Sequence, residues 1–181
     1  AMKRVIVAII IMAATSLLSY GQRMMPKQFH LSSSVTTLNF SSTIGGEIML
    51  GQYTRNGRWS AGLDYRYSHN IYNDIKIPVN TIIGKGGYEF TLLSNYKKTI
   101  VLAGGLRGLI GYEDISKPEE YGIVITNDSS LIYGFAPVVS FDFFFHRYIS
   151  ICVFFEGDFA FGSSLEIFRP LTGVGLRFVI N

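Results

Sequence analysis

The sequence lacks the features that mark several large protein classes. It has a single cysteine, Cys152, which excludes a disulfide framework. It contains no CxxC pair, no His cluster at metal-ligand spacing and no phosphate-binding loop, so the residues indicate no metal, nucleotide or other cofactor site. Beyond the N-terminal segment, its apolar residues come in alternating runs and not in long blocks. Such alternation of apolar residues is typical of β-barrels.

The chain also has no large excess of positive over negative charge, or the reverse. The chain has 16 basic and 13 acidic residues, and without the N-terminal Lys3 and Arg4 the balance is 14 against 13. A net charge of about +1 provides no basic face or stripe for nucleic acid. We therefore expect no direct binding of DNA or RNA.

The first 21 residues predict an export signal. Two basic residues precede an apolar run at 5–18, and Ser19-Tyr20-Gly21 has the small-x-small pattern of a signal-peptidase site. The run is shorter than the roughly 20 apolar residues of a membrane-spanning helix. We expect cleavage before Gln22, which leaves residues 22–181 as one domain. The residue directly after the predicted cleavage site is Gln22 and not a cysteine, so we expect no lipoprotein anchor.

The clearest structural pattern lies in residues 55–68. From Trp59 onward, large residues alternate with small or polar ones, which is the period of a β-strand. One face is apolar with aromatic residues at both ends, as in outer-membrane barrel strands that meet lipid outside and a polar lumen inside. The preceding Asn56-Gly57 predicts a two-residue type I′ hairpin. Its register would place Glu47 opposite Arg66, and we predict an ion pair between them.

The same period recurs along the chain and predicts eight strands. They are expected at 28–38, 47–54, 58–68, 75–92, 99–112, 129–145, 148–161 and 169–181. The apolar phase changes at Gly86-Gly87, which predicts a β-bulge or a close approach of two backbones. Pro137 lies within a strand and predicts a local bulge.

The connections between these strands alternate in length. Short turns are expected at Asn56-Gly57, at 94–98 and at His146-Arg147, with longer or less regular loops between them. Bacterial barrels have short periplasmic turns and longer outer loops. Both ends of the barrel domain are therefore expected on the periplasmic side.

These patterns predict an all-β fold, an eight-stranded antiparallel up-and-down transmembrane β-barrel in the bacterial outer membrane. A soluble barrel or sandwich would show the same period with its apolar face inward. Gly, Ala and Ser dominate the other face, and they suit a crowded interior better than a solvated surface. A helical hairpin over 131–161 would place three carboxylates in hydrocarbon, each costing about 2.5 kcal/mol or more.

The lumen of an eight-stranded barrel is just filled by side chains, and buried charges must be paired. We therefore expect a salt-bridged plug that leaves no channel for DNA or protein. The predicted lumen charges are Glu47, Asp64, Arg66, Arg107, Asp142, Glu156, Asp158 and Arg177. The predicted aromatic girdles are Trp59, Phe143 and Tyr148 on the periplasmic side and Tyr67, Tyr112 and Tyr133 on the outer side.

Few residues of the sequence could form a catalytic set. A lipid-modifying enzyme would need a Ser/His/Asp set near the membrane surface, and only His30-Leu31-Ser32 and Ser68-His69 with Asp74 could supply one. Chance yields such pairs in any sequence rich in Ser, and no pattern fixes their geometry. We expect no enzymatic activity, and we expect Cys152 to pack as a small core residue.

Several stretches resemble the conjugative-transposon protein TraO family. They are residues 21–26 (GQRMMP), 72–78 (YNDIKIP), 86–88 (GGY), 166–170 (EIFRP) and 173–178 (GVGLRF). The chain departs from the family pattern by Lys27, where Gly is usual, and by Val179, Ile180 and Asn181 after the final aromatic residue. The resemblance implies an outer-membrane structural component of a conjugative DNA-transfer apparatus, with no known catalytic residues. The expected partners are other proteins of the apparatus, which the chain would contact through its loops or its rim, and outer-membrane lipid. The alternative function is that of an outer-membrane lipid-modifying enzyme or a small binding barrel.

Overall fold

The chain forms one closed barrel in a computed structural model that describes residues 25–38, 43–72, 75–115, 130–163 and 167–180. The strands are β1 Phe29–Leu38, β2 Thr43–Tyr53, β3 Gly57–Tyr72, β4 Ile75–Ser94, β5 Ile100–Ile115, β6 Ser130–His146, β7 Ile149–Phe161 and β8 Phe168–Ile180. Each strand is antiparallel to its neighbours, and β8 pairs with β1. Among the described residues, no helix is long and apolar enough to cross a membrane. The predicted signal peptide lies outside these residues.

The two faces of the sheet have the predicted orientation. Trp59, Leu63 and Leu176 are 40%, 64% and 43% exposed, whereas Arg66, Arg107 and Arg177 are at most 4% exposed. The apolar face is therefore outside and the charged face inside, the reverse of a water-soluble barrel. The predicted fold is confirmed.

The predicted register of the β2–β3 hairpin is wrong by two residues. Tyr53 pairs with Arg58, so the connection comprises residues 54–56. Neither Asn56 nor Gly57 has the positive φ of a type I′ turn. Gly57 is needed for another reason: a Cβ there would collide with the carbonyl oxygen of Glu89 on β4.

This shift also overturns the predicted Glu47–Arg66 ion pair. Glu47 lies opposite Asp64, and Arg66 lies opposite Gly45. Because side chains alternate with a period of two, a slip of two residues leaves every side chain on its predicted face. The pattern therefore predicted the faces correctly and the partners wrongly.

The bulge predicted at Pro137 is absent. At Gly86-Gly87 the structure has no bulge but does have the predicted alternative, a close approach of two backbones, since a Cβ on Gly87 would collide with the Leu106 carbonyl oxygen. Strand β4 stays in register with both neighbours through the two glycines, and its register shifts only between Thr91 and Leu93. At Pro137 the register is unchanged, but the ladder to β7 is interrupted between Phe135 and Val138. Proline has no N–H to donate there, and the pairing with β5 continues unbroken.

Three predicted loops are partly strand. β2 begins at Thr43, β3 continues to Tyr72 and β5 continues to Ile115. The last short turn lies at Arg147 and Tyr148, one residue later than predicted, and a register shift between Phe144 and His146 precedes it.

Apolar clusters close both ends of the interior. At the short-turn end the cluster comprises Tyr53, Val101, Phe144 and Val179. Toward the other end it comprises Ile83, Leu109, Ile132, Ala136 and Ala160. A third cluster comprises Val138, Phe154 and Leu171, and the Phe154 ring contacts the charged residue Arg107, so apolar and charged residues share the middle of the lumen.

Candidate functional site

A continuous ion-pair network fills the middle of the barrel. Its members are five cations, Arg58, Arg66, Lys85, Arg107 and Arg177, and six carboxylates, Glu47, Asp64, Glu89, Asp142, Glu156 and Asp158. Each is at most 4% exposed. All eight charged residues predicted to face the lumen are in this network.

The network begins above the apolar cluster at the short-turn end. Asp142 of β6 accepts hydrogen bonds from Arg58 of β3 and Arg177 of β8. Arg58 also lies 2.5 Å from Glu89 of β4. The Ser140 hydroxyl accepts from Arg58 and donates to Glu89, both at 2.7 Å. Four strands are tied together at this level.

Arg107 and Lys85 form the centre of the network. Arg107 Nη2 lies 2.7 Å from Glu89, and its Nη1 lies 2.8 Å from Glu156 and 3.4 Å from Glu47. Its guanidinium also lies 5.5 Å from the centre of the Phe154 ring, a cation–π distance.

Lys85 Nζ contacts Glu156 and lies 2.9 Å from Asp64 and 3.5 Å from Glu47. One ammonium group therefore holds three carboxylates from three strands. Beyond it, Arg66 Nη2 lies 2.6 Å from both Asp64 and Asp158. Arg169 and Glu113 form a separate pair at 3.7 Å nearer the long loops.

Three members of the network were not predicted, and each omission has a cause. Lys85 precedes the predicted change of phase, in a stretch where the odd-numbered residues carry the apolar phase expected outside; in the structure, the odd-numbered residues of β4 face inward throughout 79–89. Arg58 was predicted at the start of its strand, opposite Arg55, where alternation with Trp59 already places it inside, but it was not counted among the lumen charges. Glu89 lies between the outward-facing Tyr88 and Phe90, so alternation alone indicates it. The predicted set had three cations for five carboxylates, and this imbalance was a signal that buried cations were missing.

The network has the properties of a structural plug. It joins seven of the eight strands, since only β1 contributes no charge to it. Every member has an opposite charge nearby, which is what burial requires. Across the described ranges, no group of three or more His, Cys, Asp or Glu could hold a metal ion.

Those residues considered for catalysis that the structure describes do not assemble into a site. His30 is fully buried in the lumen, with its ring 4.9 Å from that of Tyr53. Ser32 faces inward and donates to the Met49 carbonyl at 3.5 Å. Ser68 donates to the Val79 carbonyl at 3.5 Å, while the His69 side chain and Asp74 lie outside the described residues. Cys152 is buried, as expected for a core residue.

The six predicted girdle aromatics lie at the two ends of the outer surface. Trp59 and Phe143 lie near the short turns and Tyr148 lies within one, while Tyr67, Tyr112 and Tyr133 lie toward the opposite ends of β3, β5 and β6. The guanidinium of Arg147 lies 5.4 Å from the centre of the Tyr148 ring. Contact of these rings with lipid headgroups remains a prediction.

Trp59 is the only tryptophan, so its fluorescence tests that prediction directly. In phosphatidylcholine vesicles we expect lipid brominated near the carbonyl end of its chains to quench Trp59 more strongly than lipid brominated near the methyl end. The reason is its position on the outer face two residues after β3 begins. Moving the tryptophan to mid-strand, with Trp59→Phe and Leu63→Trp, should reverse the order. Equal quenching at both depths, or none, would contradict a girdle position.

A comparison with protein-family models identifies the family of the chain. The model described as conjugative transposon protein TraO matches residues 21–180. The chain belongs to this family. The resemblance identified from the sequence is thereby confirmed, and this TraO-family chain is a component of a conjugative transposon.

Solved structures show which fold this family member has. Neisserial surface protein A is 10% identical, with a TM-score of 0.53 over 83% of this chain and 94% of that chain. Ail, the attachment invasion locus protein of Yersinia pestis, is 14% identical, with a TM-score of 0.52 over 86% of this chain and 100% of that chain. At these identities the likeness shows the fold alone, that of small outer-membrane β-barrels. A search of curated proteins found no match.

Proposed function

We propose that this chain is a structural outer-membrane component of a conjugative DNA-transfer apparatus. A signal peptide at 1–21 exports it, and the barrel anchors loops or a rim that contact other proteins of the apparatus. The TraO family match supports the setting. The apolar outer face, with its aromatic residues at both ends, supports the membrane location.

The filled lumen is the observation that carries this proposal. Eleven paired charges occupy the lumen, and three buried apolar clusters fill the space around them. DNA or an unfolded protein could not pass without breaking the network that ties the strands together. A contribution to transfer must therefore come from the surfaces that the barrel presents, and no direct contact with nucleic acid is proposed.

The alternative is an outer-membrane lipid-modifying enzyme or small binding barrel. We propose no enzymatic role, because the His30 and Ser32 side chains point into the lumen, away from any lipid headgroup. The two hypotheses predict different effects of losing the gene. A structural component affects transfer, whereas a lipid-modifying enzyme changes lipid A.

Deleting the gene from its element should abolish or strongly reduce transfer frequency, and supplying the full-length gene in trans should restore it. Lipid A from the same strains, analysed by mass spectrometry, should be unchanged. Unchanged transfer together with altered lipid A would contradict the proposal and favour the enzyme.

A loop exchange tests whether surfaces and not the barrel interior carry the role. Residues 116–129, which connect β5 to β6, would be replaced by a Gly/Ser linker of equal length, with the same replacement at 39–42 as control. We expect the first exchange to reduce transfer more than the second. Both proteins should still fold, shown by a change in gel mobility between unboiled and boiled samples. Full transfer with both exchanges would assign the contact to the short-turn rim instead.

A further inference from the structure

The short-turn end of the barrel carries charge of only one sign. We define the basic rim as the exposed or half-buried cations that precede β1 or lie in the three short connections: Lys27, Arg55, Lys97, Lys98 and Arg147. Residues 25–28, 54–56, 95–99 and 147–148 contain no Asp or Glu.

The connections at the other end of the barrel are mainly acidic. In sequence, residues 73–74, 116–129 and 164–167 contain Asp74, Glu119, Glu120, Asp128 and Glu166, with Lys117 as their single cation. Charge outside the lumen is thus segregated between the two ends of the barrel. Solubility alone would not require such segregation, because mixed charges serve that purpose equally well.

The basic rim surrounds the barrel. Lys27 precedes β1, Arg55 lies between β2 and β3, Lys97 and Lys98 between β4 and β5, and Arg147 between β6 and β7. A cation therefore occurs at every second strand of the closed sheet. A protein docking from one side could reach only part of this ring, whereas a lipid leaflet meets all of it.

The cations also lie at the depth of lipid headgroups. Lys27 is two residues from the outward-facing Phe29, and the turn carrying Lys97 and Lys98 follows the exposed Leu92 and Leu93. Arg147 stacks over Tyr148. Cationic and aromatic side chains next to an apolar band are placed to reach the interface. The connections are too short to carry these charges far from it.

Two of the rim cations line a common cleft. Arg55 and Lys98, with Thr54, Asn56, Thr91 and Ser94, surround a cavity of about 290 Å³ between the β2–β3 and β4–β5 connections. Two cations with hydroxyl and amide donors match the oxygens of a phosphate ester. The volume admits a phosphate with its glycerol.

We propose that the basic rim binds anionic phospholipid headgroups of the inner leaflet, with Arg55 and Lys98 sharing one phosphate. This goes beyond anchoring by apolar surface, because it selects lipids by charge and determines which end of the barrel faces the periplasm.

Spin-labelled lipids measure this selectivity directly. The mature protein would be folded into phosphatidylcholine vesicles containing a trace of spin-labelled phosphatidylglycerol or spin-labelled phosphatidylcholine, and the protein-associated fraction of each read by electron paramagnetic resonance. The wild-type protein should prefer phosphatidylglycerol, and higher salt should weaken the preference. The variant Arg55→Gln/Lys98→Gln, which removes both cations of the shared phosphate site, should lower the preference at least about twofold.

The matched control is Lys76→Gln/Lys117→Gln, which removes the same charge outside the rim and should leave the preference unchanged. Unboiled gel mobility would show that each variant is folded. Equal preference in the wild-type protein and the rim variant would overturn the proposal, as would an equal loss in the rim and control variants. If the wild-type protein shows no preference but binds polyglutamate through Arg55 and Lys98, an acidic protein partner replaces lipid and the proposal fails.

Discussion

Replacing Lys85 with methionine should lower the free energy of unfolding by about 3–5 kcal/mol, which is the effect of removing one partner from a buried ion pair. Methionine keeps the length of the side chain but leaves Glu47, Asp64 and Glu156 without their shared cation. Urea unfolding in detergent micelles or vesicles, followed by Trp59 fluorescence, measures the change. This is the largest stability effect that we expect from a single substitution in the chain.

Two further variants show that charge, and not volume, causes the loss. Lys97→Met removes an exposed lysine of the rim and should change stability by less than about 0.5 kcal/mol. Loss of Lys85 raises the excess of carboxylates over cations in the network from one to two; adding Glu156→Gln to Lys85→Met lowers it to one again and should recover about 1–2 kcal/mol. If Lys85→Met were no more destabilising than Lys97→Met, the network would not be what holds the strands together.

Substituting alanine at Gly87 should destabilise the barrel by about 2–3 kcal/mol, the effect of overpacking a close interior contact. A Cβ at this inward position would collide with the Leu106 carbonyl oxygen and lie 2.6 Å from the Arg107 Cα. Backbone atoms in a paired strand cannot move aside as a flexible side chain can. The same unfolding measurement reports the effect.

The adjacent Gly86 provides the matched control. It faces outward, and a Cβ there would meet its nearest neighbours at 3.7 Å, an ordinary van der Waals distance. Gly86→Ala should therefore be nearly neutral, within about 0.5 kcal/mol. Equal destabilisation by the two substitutions would show that the glycines matter for backbone flexibility and not for the close approach at Gly87.

The faces of the strands could be predicted from the sequence because a membrane barrel separates residue types sharply. Lipid selects large apolar side chains outside, while the narrow lumen selects small residues and paired charges. Alternation from Trp59 to Tyr67, or from Val174 to Ile180, therefore reports directly which way each side chain points. The TraO resemblance added the biological setting, which the alternation does not contain.

The register could not be predicted in the same way, because a slip of two residues preserves the alternation. Gly57 belongs to β3 and packs against Glu89 of β4, so it is not a central turn residue; this contact with a third strand is one that no local pattern contains. The inward position of Lys85 could not be predicted for a related reason. At Val79 and Ile83 the lumen is apolar, so the inward face of β4 resembles a lipid face until the charged layer begins.

The plug has a consequence for how the barrel assembles. Arg58 and Asp142 are 84 residues apart in sequence, and Lys85 and Glu156 are 71 apart, so a growing sheet holds its charges unneutralised until distant strands arrive. An open sheet could not enter hydrocarbon strand by strand without exposing them. We therefore expect entry into the bilayer to be coupled to closure of the sheet, and the seven strands that share these charges to stay together once it has closed.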